Sequence, residues 1–115
     1  MRSRRWHMAV EGDTLVVARR VPVRFDLAVE TRFDDPSLRR GRLAHQVRQD
    51  MWRRLQRLRG FQPAVAVTRE ADGLRLVAGG AVDGRIPANA RKAVSALLED
   101  AELRERWQRC ARRSA

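Results

Sequence analysis

A two-layer α+β fold is the architecture that this sequence predicts: an antiparallel sheet with a long amphipathic helix packed on one face. Three observations support it. Residues 23–33 alternate apolar and polar side chains, as a half-buried strand does. Residues 34–60 repeat apolar side chains at three- and four-residue steps, as an amphipathic helix does. Asp72-Gly73, the strongest short-range hairpin signal, separates two further strand-like runs.

The N-terminal part of the chain predicts a hairpin. Trp6, Met8 and Val10 occupy alternate positions, which is the period of a strand. The Glu-Gly-Asp sequence at 11–13 is a turn signal, and residues 14–19 form a second short strand-like run. We therefore expect two short antiparallel strands before the main strand.

The run at 23–33 is the clearest strand in the chain. After a break at residues 20–22, odd-numbered positions are mostly apolar and even-numbered positions are mostly charged or small. This alternation predicts one buried and one wet sheet face. The residues predicted to face the core are Val23, Phe25, Leu27, Val29, Thr31 and Phe33. We expect the long helix to lie across this apolar face.

The long helix is predicted over residues 34–60 from its start, period and stop. The Asp-Asp-Pro sequence at 34–36 suits a first helical turn, and Gly60 suits the C-terminal end. Gly41 costs about 1 kcal/mol relative to alanine inside a helix, so residues 36–40 are alternatively a separate turn. The apolar side consists of Leu43, Ala44, Val47, Met51, Leu55 and Leu58.

The C-terminal half completes the order βββ-α-ββ-αα. Strands are predicted over residues 64–70 and 74–78, with Gly79-Gly80 marking a bulge. A helix begins near Ala88, and a break near Asp100 separates it from a last helix. Segregated antiparallel strands with helices on one face define a two-layer α+β domain, here one domain over residues 1–115.

The chain is strongly basic. It has 25 Lys and Arg residues against 14 Asp and Glu residues, a net charge of +11, and Lys92 is the only lysine. A GC-rich genome would explain the preference for arginine but not the excess of positive charge. That excess predicts attraction to polyanions, to which residues 1–5 would contribute as a flexible basic end.

The outward side of the predicted helix carries the candidate binding residues. At 100° per residue, four arginines, two glutamines and Asp50 fall within one sector of roughly 100°. Guanidinium groups match phosphates and carboxylates with paired hydrogen bonds. A solvated helix face without a ligand is the alternative explanation. We name as the arginine face Arg39, Arg42, Gln46, Gln49, Arg53 and Arg57.

Catalytic and metal-binding patterns are missing from the sequence. His7, His45 and Cys110 are its only histidines and cysteine, too few for a tetrahedral Cys/His zinc site in one chain. No nucleophile stands in a recognisable catalytic motif, and Cys110 suits a half-buried structural position. We therefore expect no enzyme, no metal and no cofactor.

The three tryptophans each stand beside an arginine in the sequence. Tryptophan stacks on nucleic-acid bases, and arginine stacks on tryptophan. Trp52 and Trp107 belong to apolar helix stripes and are predicted to lie in the core. Trp6 is the least constrained of the three.

Location is predicted from apolar runs and cysteine usage. No apolar run approaches the 18 residues or more that a membrane span needs, and the N-terminus lacks the apolar region of a signal peptide. A single cysteine excludes an internal disulfide framework. These observations predict a cytoplasmic protein without a membrane span.

The sequence thus predicts a small non-catalytic protein that binds nucleic acid, either DNA or RNA, through phosphate contacts from the arginine face. Phosphate contacts carry no sequence information, so specificity would be weak. The alternative is an adaptor or assembly factor that presents the same face to an acidic protein. Edge strands leave room for a homodimer.

Overall fold

The computed structural model describes residues 6–112, which form five strands and three helices in the predicted order. Residues 1–5, predicted as a flexible basic end, lie outside the described part of the chain. The strands and helices are β1 His7–Glu11, β2 Thr14–Ala18, β3 Leu27–Phe33, α1 Arg40–Leu55, β4 Gln62–Glu70, β5 Gly73–Ala81, α2 Ala88–Glu99 and α3 Ala101–Ala111.

The strands form one sheet with the order β1-β2-β4-β5-β3, and all neighbouring pairs are antiparallel. The β1–β2 and β4–β5 pairs are the two predicted hairpins, and Glu70 pairs with Gly73 across the second turn. Because β3 and β4 both run antiparallel to β5, they are parallel to each other. Helix α1 connects them across one sheet face.

All three helices belong to the layer on that face, which confirms the predicted two-layer α+β fold. Helix α1 packs on β2 and β4, α2 packs on β3, and α3 packs on both other helices. Apolar side chains from the helix-facing side of the sheet and from the inner sides of the helices form a single core. Its largest fully buried side chains are Trp107, Phe33, Leu27, Leu38, Leu43 and Met51.

Strand β3 is shorter than predicted. It begins at Leu27 rather than at position 23, because Asp26 accepts the backbone N–H of Val82 at 3.0 Å and pairs with Arg24 at 2.6 Å. These bonds hold the preceding segment as a loop, and Val23 is exposed. Within β3 the two ends facing the helices, Leu27 and Phe33, are fully buried, as the alternation predicts.

Helix α1 is also shorter, with 16 residues, and it begins after the predicted aspartate caps. Asp35 Oδ1 accepts the backbone N–H and the hydroxyl of Ser37, at 2.9 and 2.6 Å, and so forms a separate turn. Arg69 in β4 donates to the carbonyl oxygens of Pro36 and Leu38, at 2.8 Å each. The separate turn at 36–40 was therefore the correct alternative, except that Arg40 already belongs to the helix.

The placement of α1 corrects a second expectation. The β3 face predicted to lie under α1 is instead covered mainly by α2, because β3 is an edge strand and α1 lies nearer the middle of the sheet. The break between α2 and α3 is confirmed: Asp100 accepts the backbone N–H of Leu103 at 3.0 Å and caps α3.

Strand β5 continues through Gly79-Gly80 without the predicted bulge, because the pairing to both neighbours stays in register. A Cβ built on Gly79 would lie 1.8 Å from the carbonyl oxygen of Leu27, and one on Gly80 would lie 2.2 Å from that of Gln62. Both glycines therefore allow a close approach of neighbouring strands, and they form no phosphate loop.

Candidate nucleic-acid interface

The arginine face divides into exposed and half-buried members. Arg42, Gln49 and Arg53 are exposed along α1, which is the direction that the helical period predicts for them. Arg39 and Gln46 are half-buried. Arg57 is exposed but lies beyond Leu55, in the turn that follows the helix. Within α1 the arginine face therefore has two exposed arginines with a glutamine between them.

Asp50 was predicted to lie on this face, and the structure buries it instead. Its side chain is 8% exposed, and its Oδ2 accepts the indole N–H of Trp107 at 2.7 Å and a hydrogen bond from Arg106. Its Oδ1 lies 3.5 Å from Nη1 of Arg53. The cause is the docking of α3 against this flank of α1, a tertiary contact that helical spacing does not encode.

Helix α3 brings further arginines to the α1 surface. The backbone N–H of Arg39 donates to the carbonyl oxygen of Ala111 at 2.8 Å, so the start of α1 lies beside the end of α3. Arg109 and Arg112 are exposed near that end, and Arg106 lies beside Asp50. Positive charge therefore extends from α1 onto α3.

A second basic feature lies on the opposite flank of α1, where a cavity of about 330 Å³ opens. The guanidinium carbon of Arg48 lies 4.1 Å from the ring centroid of Trp6, and that of Arg19 lies 5.6 Å from it. Such distances are those of cation–π contacts. We name this cavity the Trp6 pocket; its lining includes Trp6, Arg19, Arg48, Trp52, Phe61 and Gln62.

The sequence predicted Trp52 in the core, and this is wrong: the side chain is 44% exposed. Its ring stacks with that of Phe61, with 6.5 Å between centroids and 12° between ring planes. Trp107 is fully buried, as predicted. The spacing of Arg48 and Trp52, one helical turn apart, was visible in the sequence. That Trp6 joins them depends on the position of the N-terminal hairpin.

Partial burial affects the titratable side chains on this flank of α1. Burial, and then the positive charge of Arg19, lowers the pKa of Arg48 below its ordinary value. Burial, and then the charge of Arg48, lowers the pKa of His45. His45 is therefore neutral at pH 7, and its Nδ1 accepts the Nε–H of Arg48 at 3.0 Å. None of the described residues lining the pocket carries a carboxylate.

The open face of the sheet has a different character. One row of paired residues crosses this face from β1 to β3. It consists of Ala9, Val16, Ala66, Val77 and, in β3, Glu30. At one end of this face, Arg32 pairs with Glu70 and Asp72, and Arg75 pairs with Glu70 at 3.1 Å. Positive charges on this face are thus matched by carboxylates.

Residues 6–112 contain neither clustered metal ligands nor a helix that could span a membrane. No group of three or more His, Cys, Asp or Glu side chains there is arranged to hold a metal ion. His7 is exposed on β1, and Cys110 is half-buried in α3. In the same part of the chain, no helix has both the length and the apolar character for crossing a membrane.

Comparison of the chain with protein-family models, with curated proteins and with solved structures finds no match.

Proposed function

We propose that this protein binds nucleic acid through phosphate contacts from the arginine face, without catalysing a reaction. The observation that supports it most is the exposure of Arg42 and Arg53 on one helix, whose first residues lie beside the end of α3 with its exposed Arg109 and Arg112. Exposed guanidinium groups on a rigid helix suit phosphate oxygens, which they bind with paired hydrogen bonds. A cytoplasmic location belongs to the same proposal and is supported by the single cysteine.

The salt dependence of binding to duplex DNA tests this proposal. Each phosphate contact releases condensed counterions. If the four arginines of the arginine face each contact a phosphate, the logarithm of the affinity plotted against the logarithm of the salt concentration should have a slope of about −3 to −4. Replacing Arg53 and Arg57 together with Gln should flatten that slope by about 2 and weaken all sequences alike. Fluorescence anisotropy with labelled duplexes of unrelated sequence measures both effects.

The matched control is the double change of Arg85 and Lys92 to Gln, which removes the same charge. Both side chains are exposed, and Lys92 lines a separate surface of α2 with Ile86. The slope should stay near that of the original protein. An equal loss with both double variants would show that the attraction is diffuse, and it would contradict a role for the arginine face.

An adaptor that binds an acidic protein through the same face is the second candidate. The exposed acidic side chains of Glu102 and Glu105 on α3 favour it, because they interrupt the positive surface. A compact patch bordered by acids suits a protein partner better than a long polyanion. For this candidate, nuclease treatment of a lysate should leave capture of one acidic protein unchanged, and the Arg53/Arg57 variant should abolish it.

A further inference from the structure

The Trp6 pocket is not used by phosphate contacts from the arginine face, and its composition is unusual for a solvated surface. It combines two tryptophans, a phenylalanine, two arginines and a glutamine around one opening. Its volume of about 330 Å³ is at the lower end of the range for ligand sites. A small planar group fits such a space better than a folded segment of a protein.

The aromatic side of the pocket is built for stacking. Trp52 and Phe61 are nearly parallel, and Phe61 is buried at 5% exposure while Trp52 is 44% exposed. The buried ring thus supports the exposed one, which fixes the plane of Trp52 before any ligand arrives. Another flat ring can extend this stack, and the four nucleic-acid bases all have a suitable face.

The cationic side of the pocket calls for an anion. Arg48 and Arg19 lie against the same Trp6 ring, and burial, followed by the charge of Arg19, lowers the pKa of Arg48, so the charged form of Arg48 has an electrostatic cost. A phosphate group would lower that cost and accept hydrogen bonds from the guanidinium groups. Gln62, half-buried at the start of β4, adds an amide that can donate to and accept from a base edge.

We propose, on the basis of the nucleic-acid binding proposed above, that the Trp6 pocket holds one unpaired nucleotide of a single-stranded nucleic acid. The base stacks on Trp52, and the adjacent phosphate binds Arg48 and Arg19. Bases of an intact duplex are stacked inside it and cannot enter the pocket. The protein therefore prefers single strands over duplexes, while the arginine face contributes phosphate contacts to both.

Three labelled probes of equal backbone length test the pocket: a deoxythymidine oligomer of about 12 nucleotides, an abasic oligomer and a duplex. Anisotropy at about 50 mM salt should give tighter binding of the thymidine oligomer than of the abasic one, by about 5- to 100-fold. Trp52→Ala should remove this preference and leave the affinity for the abasic oligomer unchanged. Trp52→Phe should keep most of it, because a stacking ring remains.

Two further variants separate the phosphate contact from nonspecific changes. Arg48→Gln should weaken both single-stranded oligomers, since the lost contact is to a phosphate. Val10→Ala removes exposed apolar surface from β1 without touching the pocket lining, so it should change neither affinity. Circular dichroism establishes that each variant is folded. Because the side chain of Trp52 is 44% exposed, Trp52→Ala should keep the fold.

The outcomes distinguish this inference from the function on which it rests. Absence of binding to all three probes overturns both. Binding of all three with equal affinity, or a base preference that persists in Trp52→Ala, overturns only the pocket assignment. Thymidine monophosphate is added as a competitor of the thymidine oligomer. If it displaces the oligomer when present at the same concentration, the pocket binds free nucleotides, and the single-strand proposal is overturned.

Discussion

The two flanks of helix α1 both carry charged side chains, but they balance those charges differently. On the flank that faces α3, the buried carboxylate of Asp50 receives hydrogen bonds from Arg106 and Trp107. On the flank that faces the N-terminal hairpin, Arg48 lies against Trp6 with Arg19 nearby, and none of the lining residues that the structure describes is acidic. One flank satisfies the charge of a buried carboxylate, and the other places the half-buried Arg48 beside an open cavity.

This difference separates a structural role from a binding role. A buried carboxylate that has lost its hydration is tolerated only when partners replace the lost hydrogen bonds, and the α3 flank supplies them. On the other flank, burial lowers the pKa of Arg48, so the charged form of this side chain is less stable there than in water, which is an energetic cost of the unliganded protein. An anion that binds there relieves that cost, so the second flank is the better candidate for a ligand.

The largest expected effect comes from burying a carboxylate without partners. Leu27 is fully buried, so Leu27→Asp should unfold the domain, at a cost of several kcal/mol, roughly the whole margin of a small protein. Asp50 is also a buried carboxylate, but the fold accepts it because Arg106 and Trp107 donate hydrogen bonds to it. The measurement is chemical denaturation followed by circular dichroism.

The neighbouring position gives the control. Ala28 lies on the open side of β3 and is half-buried, so Ala28→Asp should cost much less. Similar losses for Leu27→Asp and Ala28→Asp would mean that the two faces of β3 are equally buried, contrary to the packing of α2 on one of them.

Removing the paired carboxylate should have the next largest effect. Asp50→Ala leaves the buried indole N–H of Trp107 without an acceptor, which should lower the free energy of unfolding by about 1–3 kcal/mol. Arg106 adds little to this loss, because its side chain is 41% exposed and can be hydrated.

Arg48→Gln, on the other flank, is the matched comparison. The cation–π contact with Trp6 is offset by the partial burial of a charge, so the free energy of unfolding should change by less than about 1 kcal/mol. Urea denaturation of both variants measures the difference. Equal destabilisation by the two changes would remove the distinction between the flanks.

A smaller effect than these substitutions should come from His45, on the flank of α1 that faces the N-terminal hairpin, through the pH dependence of the free energy of unfolding. Burial lowers the pKa of His45 in the folded protein below the ordinary value of 6.5. Its contribution to stability is therefore fully present above about pH 6.5 and is lost as pH falls toward the lower folded pKa. Protonation also removes the Nδ1 acceptor that Arg48 uses.

Urea denaturation between about pH 7.5 and 5.5 tests this effect. His45→Gln keeps an oxygen acceptor for Arg48 and should lose less stability over this range than the original protein. His7→Gln, at an exposed position on β1, should leave the pH dependence unchanged. If instead His7→Gln alone flattened the curve, the burial of His45 would not be its cause.

The sequence predicts the fold because its strongest patterns are local. The period of two in β3, the period of 3.6 in α1 and the capping aspartate Asp100 each depend on residues within one element. The same local rules misplaced the start of α1, because Asp35 bonds within its own turn and Arg69, from a distant strand, holds that turn in place.

The candidate site is predicted less completely, because it depends on which elements lie beside each other. Helical spacing assigns Arg42, Gln49 and Arg53 to the outer side of α1 correctly, and it assigns Asp50 to the same side. Only the docking of α3 shows that Asp50 is buried. Likewise, no spacing rule brings Trp6 onto Arg48, since three strands and the start of α1 separate these residues in the sequence.

The smallest effect is expected at Cys110, which tests whether the α3 flank has only a structural role. Cys110 is half-buried in α3, the helix that carries Arg106 and Trp107. Cys110→Ala removes one partly buried sulfur atom, which loses less packing than one fully buried CH₂ group does, so the change should cost less than about 0.8 kcal/mol. It should also leave the salt dependence of nucleic-acid binding unchanged, since the arginines of the α1 surface remain. A thiol reagent at neutral pH should label the native protein slowly, because packing shields much of the Cys110 side chain. Rapid labelling would instead indicate an activated thiolate near the arginines of α3. The α3 flank would then have a reactive role, contrary to the structural role that the hydrogen bonds to Asp50 indicate.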